Sequence, residues 1–276
     1  MWTLISLEIF KICKKPRSYL GFAGLLGIAI LRAIGFAHDP SLGYYMLGSI
    51  PREMMVVGSR LTAGFMASFI MPLTLFAFLP LFVSMVAGDM VSGEAAEGTL
   101  RTAMSRPVSR LGFFVAKLVS SGAYAVALTF FLGLSAYVVG LIALGRGPVA
   151  VGWSGFAVYP EGEGIARLLA AYALACVPMI TVAAIALFIS TIVNNSPAAI
   201  IGPMVLIFGL TIIGEISFFE PVKPYLFTTY LDVWKEAFAP RIDWGHVLTG
   251  LEYLCAYIAA FGGLAAIIFC RKDILT

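Results

Sequence analysis

Long apolar runs dominate this chain, and short polar breaks set them apart. A bilayer-spanning helix takes about 20 mostly apolar residues. Six stretches reach that length, at 18–37, 61–88, 118–144, 165–192, 197–219 and 247–269. They are too long and too uniformly apolar for barrel strands, and a helix satisfies its own backbone amides where there is no water. The pattern predicts an all-α polytopic membrane protein, one six-helix domain over 1–276.

The polar breaks are as informative as the runs. Residues 1–17 precede the first run, and Trp2, Ile5, Ile9 and Ile12 recur there at helical spacing while Glu8, Lys11 and Lys15 line another face. Pro16 ends that pattern. The segment reads as an amphipathic helix along the membrane interface, with Trp2 and the lysines as anchors, or as an extension of the first run. Its apolar part precedes its lysines, the reverse of a secretory signal. Between the fourth and fifth runs, "TIVNNSPAA" supplies Asn194, Asn195, Ser196 and Pro197, which are turn and helix-start residues. Residues 220–246 form a longer break, with a short interfacial helix expected in "YLDVWKEAF". Pro72 and Pro80 in the second run and Pro178 in the fourth predict kinks.

Composition removes the soluble alternatives. Of 276 residues, 61% are hydrophobic and 12% charged, and the mean hydropathy is +0.97. Soluble domains run at about 45–50% apolar and 25% charged. A net charge of +3, scattered along the chain, gives no footprint for nucleic acid. Lysines and arginines set the sidedness. Ten fall in the N-terminal segment, the break at 89–117 and the tail, against six in the other breaks; Arg32 and Arg167 lie within runs. That bias places both termini and residues 89–117 in the cytoplasm. The four cysteines, Cys13, Cys176, Cys255 and Cys270, have neither metal-ligand nor disulfide-framework spacing.

The break at 88–117 carries seven of the 33 charged residues. Ser92 and Thr99 are candidate helix starts, and Gly93 and Gly98 are expected to loosen the chain. Arg106 precedes Pro107 and is pushed out of helical geometry, so a short helix should end there. Ser109 can then cap the helix that leads into the third run. Such a stretch is either a docking element for a soluble partner or a solvated loop. Glu94, Glu97, Gly98, Thr99 and Leu100, then Arg106, Pro107, Val108, Ser109 and Arg110, then Lys117, resemble the "E…GTL…LS-R-P-V-S-R…K" pattern of ABC type 2 transporter permeases. It falls after the second of six runs, as in that family. Met104 stands where the family often has Leu. The tail "FCRKDIL" and the amphipathic start are similar to the family's closing segment and elbow helix.

The resemblance implies the membrane-spanning subunit of an ATP-driven exporter in the inner (cytoplasmic) membrane, paired with a separate ABC-type ATPase and forming a permease homodimer. Residues 89–117 would be the coupling segment, with Arg106 and Pro107 among its docking residues and Glu94, Glu97 and Arg110 in polar contact with the ATPase. Gly98 and Thr99 would set its turn, and Asn194 and Asn195 would lie nearby. ATP and Mg would bind the partner, since this chain has no G-x-x-x-x-G-K-[ST] loop. It would not itself be an enzyme.

Three of the charges within the runs are placed near the outer side. Arg32, Glu215 and Glu252 share a depth, and Arg32 is expected either to pair with a carboxylate at an outer gate or to snorkel to the interface. "GWSG" at 152–155 matches a serine-protease string, but Ser154 falls in a loop, with His38 and His246 at loop or run edges. The contrasting reading is a nucleotide-independent secondary transporter or membrane scaffold. A secondary transporter should show helices broken near mid-membrane.

Overall fold

Pro16 is the first point where sequence becomes architecture. It cannot donate a backbone hydrogen bond, so it closes α1 (Trp2–Lys14) and opens α2 (Pro16–His38) at a first-turn position, where no donor is needed. The computed structural model describes residues 1–39, 61–99, 109–153, 157–193 and 195–271. The remaining helices are α3 (Ala63–Ala87), α4 (Asp89–Ala96), α5 (Arg110–Ala143), α6 (Glu161–Ile192), α7 (Ser196–Glu215) and α8 (Trp244–Arg271). Among the described residues, α2, α3 and α5–α8 are six helices long and apolar enough to cross a membrane. They run up and down. One end gathers α1, α4, the start of α5 and the end of α8; the other gathers the starts of α3, α6 and α8.

α6 is the axis of the bundle. In its most apolar stretch 67% of residues are buried inside the protein, against 17% for α7 and 22% for α8. Alanines make this possible: Ala171, Ala175, Ala183, Ala184 and Ala186 are all fully buried, and small side chains let neighbouring helices approach closely. α3 is the irregular span. Pro72 and Pro80 flank a π-helical turn at Thr74–Phe78. The Thr74 hydroxyl donates to the Ile70 carbonyl, one of the groups such a break loosens.

At the far end, the connection from α5 to α6 forms a short antiparallel hairpin. β1 (Val149–Val151) pairs with β2 (Ala157–Tyr159), Val149 opposite Tyr159. The runs of apolar residues did not predict these strands, because each is only three residues long. Val149 is fully buried in a slot between Gly64 of α3 and Gly164 of α6; a Cβ on either glycine would lie 2.3 Å from its Cγ2.

The interfacial helix expected at "YLDVWKEAF" is instead a 3₁₀ segment, Val233–Phe238, preceded by another at Phe227–Tyr230. Trp234, Ala237 and Phe238 are buried and pack on α6. Arg167 explains why they stay there. Its guanidinium donates to the carbonyls of Ala237 (3.1 Å) and Ala239 (2.7 Å), and lies 4.1 Å above the Tyr159 ring. The Tyr159 hydroxyl donates to the Phe238 carbonyl at 2.8 Å.

Candidate functional site

The polar face of α1 is turned into the protein. Glu8 and Ile12 are its buried residues, whereas Trp2, Leu7 and Phe10 are exposed. The sequence spacing put Ile12 on the apolar face and Glu8 on the opposite one, whereas the structure buries the two together. Glu8 turns in because cations meet it. Its Oε1 is 2.7 Å from Lys11 Nζ and its Oε2 is 3.0 Å from Lys117 Nζ. Lys117 lies two turns into α5 with no exposed side-chain surface.

Glu94 of α4 completes the arrangement. Its Oε1 is 3.0 Å from Lys11 Nζ and its Oε2 is 2.8 Å from Lys117 Nζ. The last contact is a close ion pair rather than an aligned hydrogen bond. Two carboxylates and two ammoniums thus alternate around a ring with no net charge. Both ammoniums also sit over the Phe113 ring, at 5.5 Å for Lys11 and 4.7 Å for Lys117.

A second cluster adjoins the first. Asp89, at the start of α4, receives Lys15 (2.8 Å), Arg17 (2.8 Å) and the Ser196 hydroxyl of α7 (2.6 Å). Between the clusters, Ser190 of α6 serves the break at Gly88: its Oγ accepts from the amides of Val91 (3.2 Å) and Ser92 (2.9 Å) and donates to the Gly88 carbonyl.

Burial alone would raise the Glu94 carboxyl, but the charges of Lys117 and Lys11, with the hydrogen bond from Lys11, outweigh it and hold the group below the usual carboxylate range. Asp89 behaves in the same way: burial raises it, while Lys15, Ser196 and Arg17 more than compensate. Burial depresses the Lys11 ammonium, and Glu8 and Glu94 reverse that, leaving it above its ordinary value.

The sequence candidates divide between inside and outside. Glu94 faces inward, while Glu97, Gly98 and Thr99 are exposed just beyond it. Gly98 adopts φ +69°, the left-handed turn conformation that suits glycine. Gly93 does not loosen the chain: it lies within α4 against the Asp89 carboxylate. Ser92 does not start a helix. It sits inside α4, its hydroxyl donating to the Gly88 carbonyl at 2.7 Å. Ser109 does cap α5, accepting from the Gly112 amide at 3.2 Å.

Arg110 donates to the Cys270 carbonyl of α8 at 3.1 Å. Asn195 is exposed and precedes α7, with no side-chain cap. Arg106, Pro107, Asn194 and Ser154 lie outside the described residues. The outer-gate pairing does not form within the chain. Arg32 lies over the Phe69 ring at 5.3 Å, and Glu215 faces Lys223 at 3.7 Å with 77% of its side chain exposed. Among the described residues no carboxylate is within ion-pair distance of Arg32, and Glu252 is exposed.

Sequence reasoning missed the centre of the site. Glu8, Asp89, Lys117 and Ser190 were not singled out as partners. One signal was available: Lys117 stands eight residues into a helix with no other charged residue from Leu111 to Ala143, and a lysine that deep needs carboxylates.

Compared with curated proteins, the chain matches none. A family model described as "Protein of unknown function (DUF2705)" matches residues 35–275, and the chain belongs to that family.

Proposed function

We propose that this chain is the membrane-spanning permease subunit of an ATP-driven ABC exporter, coupled to a separate ATPase and acting as a homodimer in the cytoplasmic membrane. Its two termini lie in the cytoplasm, and α1 lies along the inner interface with Trp2, Leu7 and Phe10 toward lipid. The observation that carries this reading is the mounting of the charged segment after the second span. Glu97, Gly98 and Thr99 project outward from a short helix that Glu94 and Asp89 fasten to α1, α2, α5 and α7. A push on those outward residues reaches four helices through ion pairs and hydrogen bonds. Rigid-body rocking of packed helices is how such a push becomes a change of access.

The roles within the segment are therefore split. Glu97 and Arg110 contact the partner, and Glu94 transmits; the sequence motif keeps Arg106 and Pro107 among the docking residues. The test is gentle solubilisation from the native membrane. A cassette-type ATPase is expected to co-purify, and Glu97→Ala is expected to weaken its retention without unfolding the permease. Recovery of the permease with no nucleotide-binding partner would overturn the reading.

One feature favours a second reading, a nucleotide-independent secondary transporter. The π-helical turn at Thr74–Phe78 between Pro72 and Pro80 breaks α3 within the span, and such transporters place substrate at broken helices. Activity in sealed vesicles under an ion gradient, with no ATP, separates this reading from the first.

A further inference from the structure

α1 is held to the bundle mainly by charge. It buries only Glu8 and Ile12, and its large apolar side chains Trp2 and Phe10 are 85% and 59% exposed. The charge ring that holds it has an uncommon internal symmetry. Glu8 and Lys11 both belong to α1 and are 2.7 Å apart; Glu94 and Lys117 join α4 to α5 at 2.8 Å. Each of these pairs is neutral by itself. The ion pairs that tie α1 to α4 and α5 are the cross pairs, Glu8–Lys117 and Lys11–Glu94, each at 3.0 Å.

The ring can therefore divide into two neutral halves. If α1 moves away, Glu8 leaves with Lys11, and Lys117 keeps Glu94. No charge is stranded in the interior. Stranding is what ordinarily locks a buried ion network, because an unpartnered buried charge is strongly unfavourable. We propose that α1 is a detachable element, held by a clasp that opens through exchange of partners between these two ion pairs. The Asp89–Lys15 pair at 2.8 Å remains as a tether at the α1–α2 corner, so α1 swings rather than leaves. Opening exposes the polar face of α1 and leaves α4 joined to α5. The clasp stands whether or not an ATPase is the partner of this chain.

A cross-link reports whether α1 is docked. Ile5 and Ser120 adjoin, the Ser120 hydroxyl lying 3.4 Å from the Ile5 carbonyl. With Ile5→Cys and Ser120→Cys in a background where the four native cysteines are Ser, the parent protein is expected to cross-link readily. Adding Glu8→Lys with Lys11→Glu keeps a neutral pair on α1 but sets like charges against Lys117 and Glu94. The yield is then expected to fall about tenfold, since facing like charges disfavour docking. Adding Glu94→Lys and Lys117→Glu as well restores the pattern of opposites, and the yield should return. The thermal stability of the spans should match the parent in both variants. An unchanged yield in the first variant overturns the clasp, as does a fall that the fourfold exchange fails to reverse.

Discussion

The two ends of the bundle are built on different physics. At the hairpin end, contact is made by desolvated rings: Trp153 and Trp234 meet edge to face at 6.5 Å, and Trp234 packs on Phe238 at 6.3 Å. Arg167 and Tyr159 fasten this layer by donating to backbone carbonyls, which have no charge to lose. At the α1 end, Glu8, Asp89 and Glu94 meet Lys11, Lys15, Arg17 and Lys117. Packed rings are short-ranged and indifferent to pH. Charge clusters respond to pH and can exchange partners. The comparison assigns rigidity to the hairpin end and reconfiguration to the α1 end.

The largest expected effect lies at the rigid end. Trp234→Ala removes a fully buried ring between α6 and the hairpin, at a cost of about 4 kcal/mol. Thermal unfolding should show this loss equally at low and high salt and from mildly acidic to neutral pH. A salt-dependent loss would erase the contrast between the two ends.

Lys117→Met is the matching test at the other end. It leaves two buried carboxylates sharing Lys11, which is 43% exposed and compensates only in part. The expected cost is about 3 kcal/mol at neutral pH. Its pH dependence carries the sharper information. In the natural chain Glu94 and Asp89 are held low, so their contribution is complete above the ordinary carboxylate range and is lost as pH falls through the lowered values. Lys11 is held high, so its contribution is present below the ordinary lysine value and is lost only as pH rises through the raised one. The natural protein should therefore weaken on acidification. In Lys117→Met, two facing carboxylates raise the affinity for a proton, and stability should increase as pH falls. The reversal of slope is the prediction; parallel slopes would mean that Lys117 does not balance Glu8 and Glu94.

How much of this was legible in the sequence follows from the range of the forces. The six spans were legible because length and apolar content are local, and α2, α3 and α5–α8 fall on the expected runs. The cap at Ser109 is local too. The inward turn of α1 was not legible, because the partner of Glu8 is 109 residues away. Glu94 was singled out for a motif on which it sits, yet its placement is decided by Lys11 and Lys117. The 3₁₀ segment at Val233–Phe238 looked like an interfacial helix because "YLDVWKEAF" lies between prolines in a long break. Arg167, within a run and left aside, is what draws that segment onto α6.

Gly98 gives the smallest and most selective test. It ends α4, with its amide donating to the Ala95 carbonyl at 3.1 Å and φ at +69°. A Cβ there would meet no atom within 4 Å, so only the backbone conformation is at issue. Gly98→Ala should cost about 1 kcal/mol, and Gly98→Asn less, since asparagine tolerates the left-handed region better. Neither substitution touches a charge, so both losses should be independent of pH and should leave the Ile5–Ser120 cross-link unchanged. If Gly98→Ala destabilised the protein as much as Lys117→Met, the exit of α4 rather than the ion ring would be holding this end together. If it also lowered the cross-link, the turn and the clasp would be one mechanical unit, and the outward residues at Glu97 and Thr99 would be joined to α1 through the backbone as well as through Glu94.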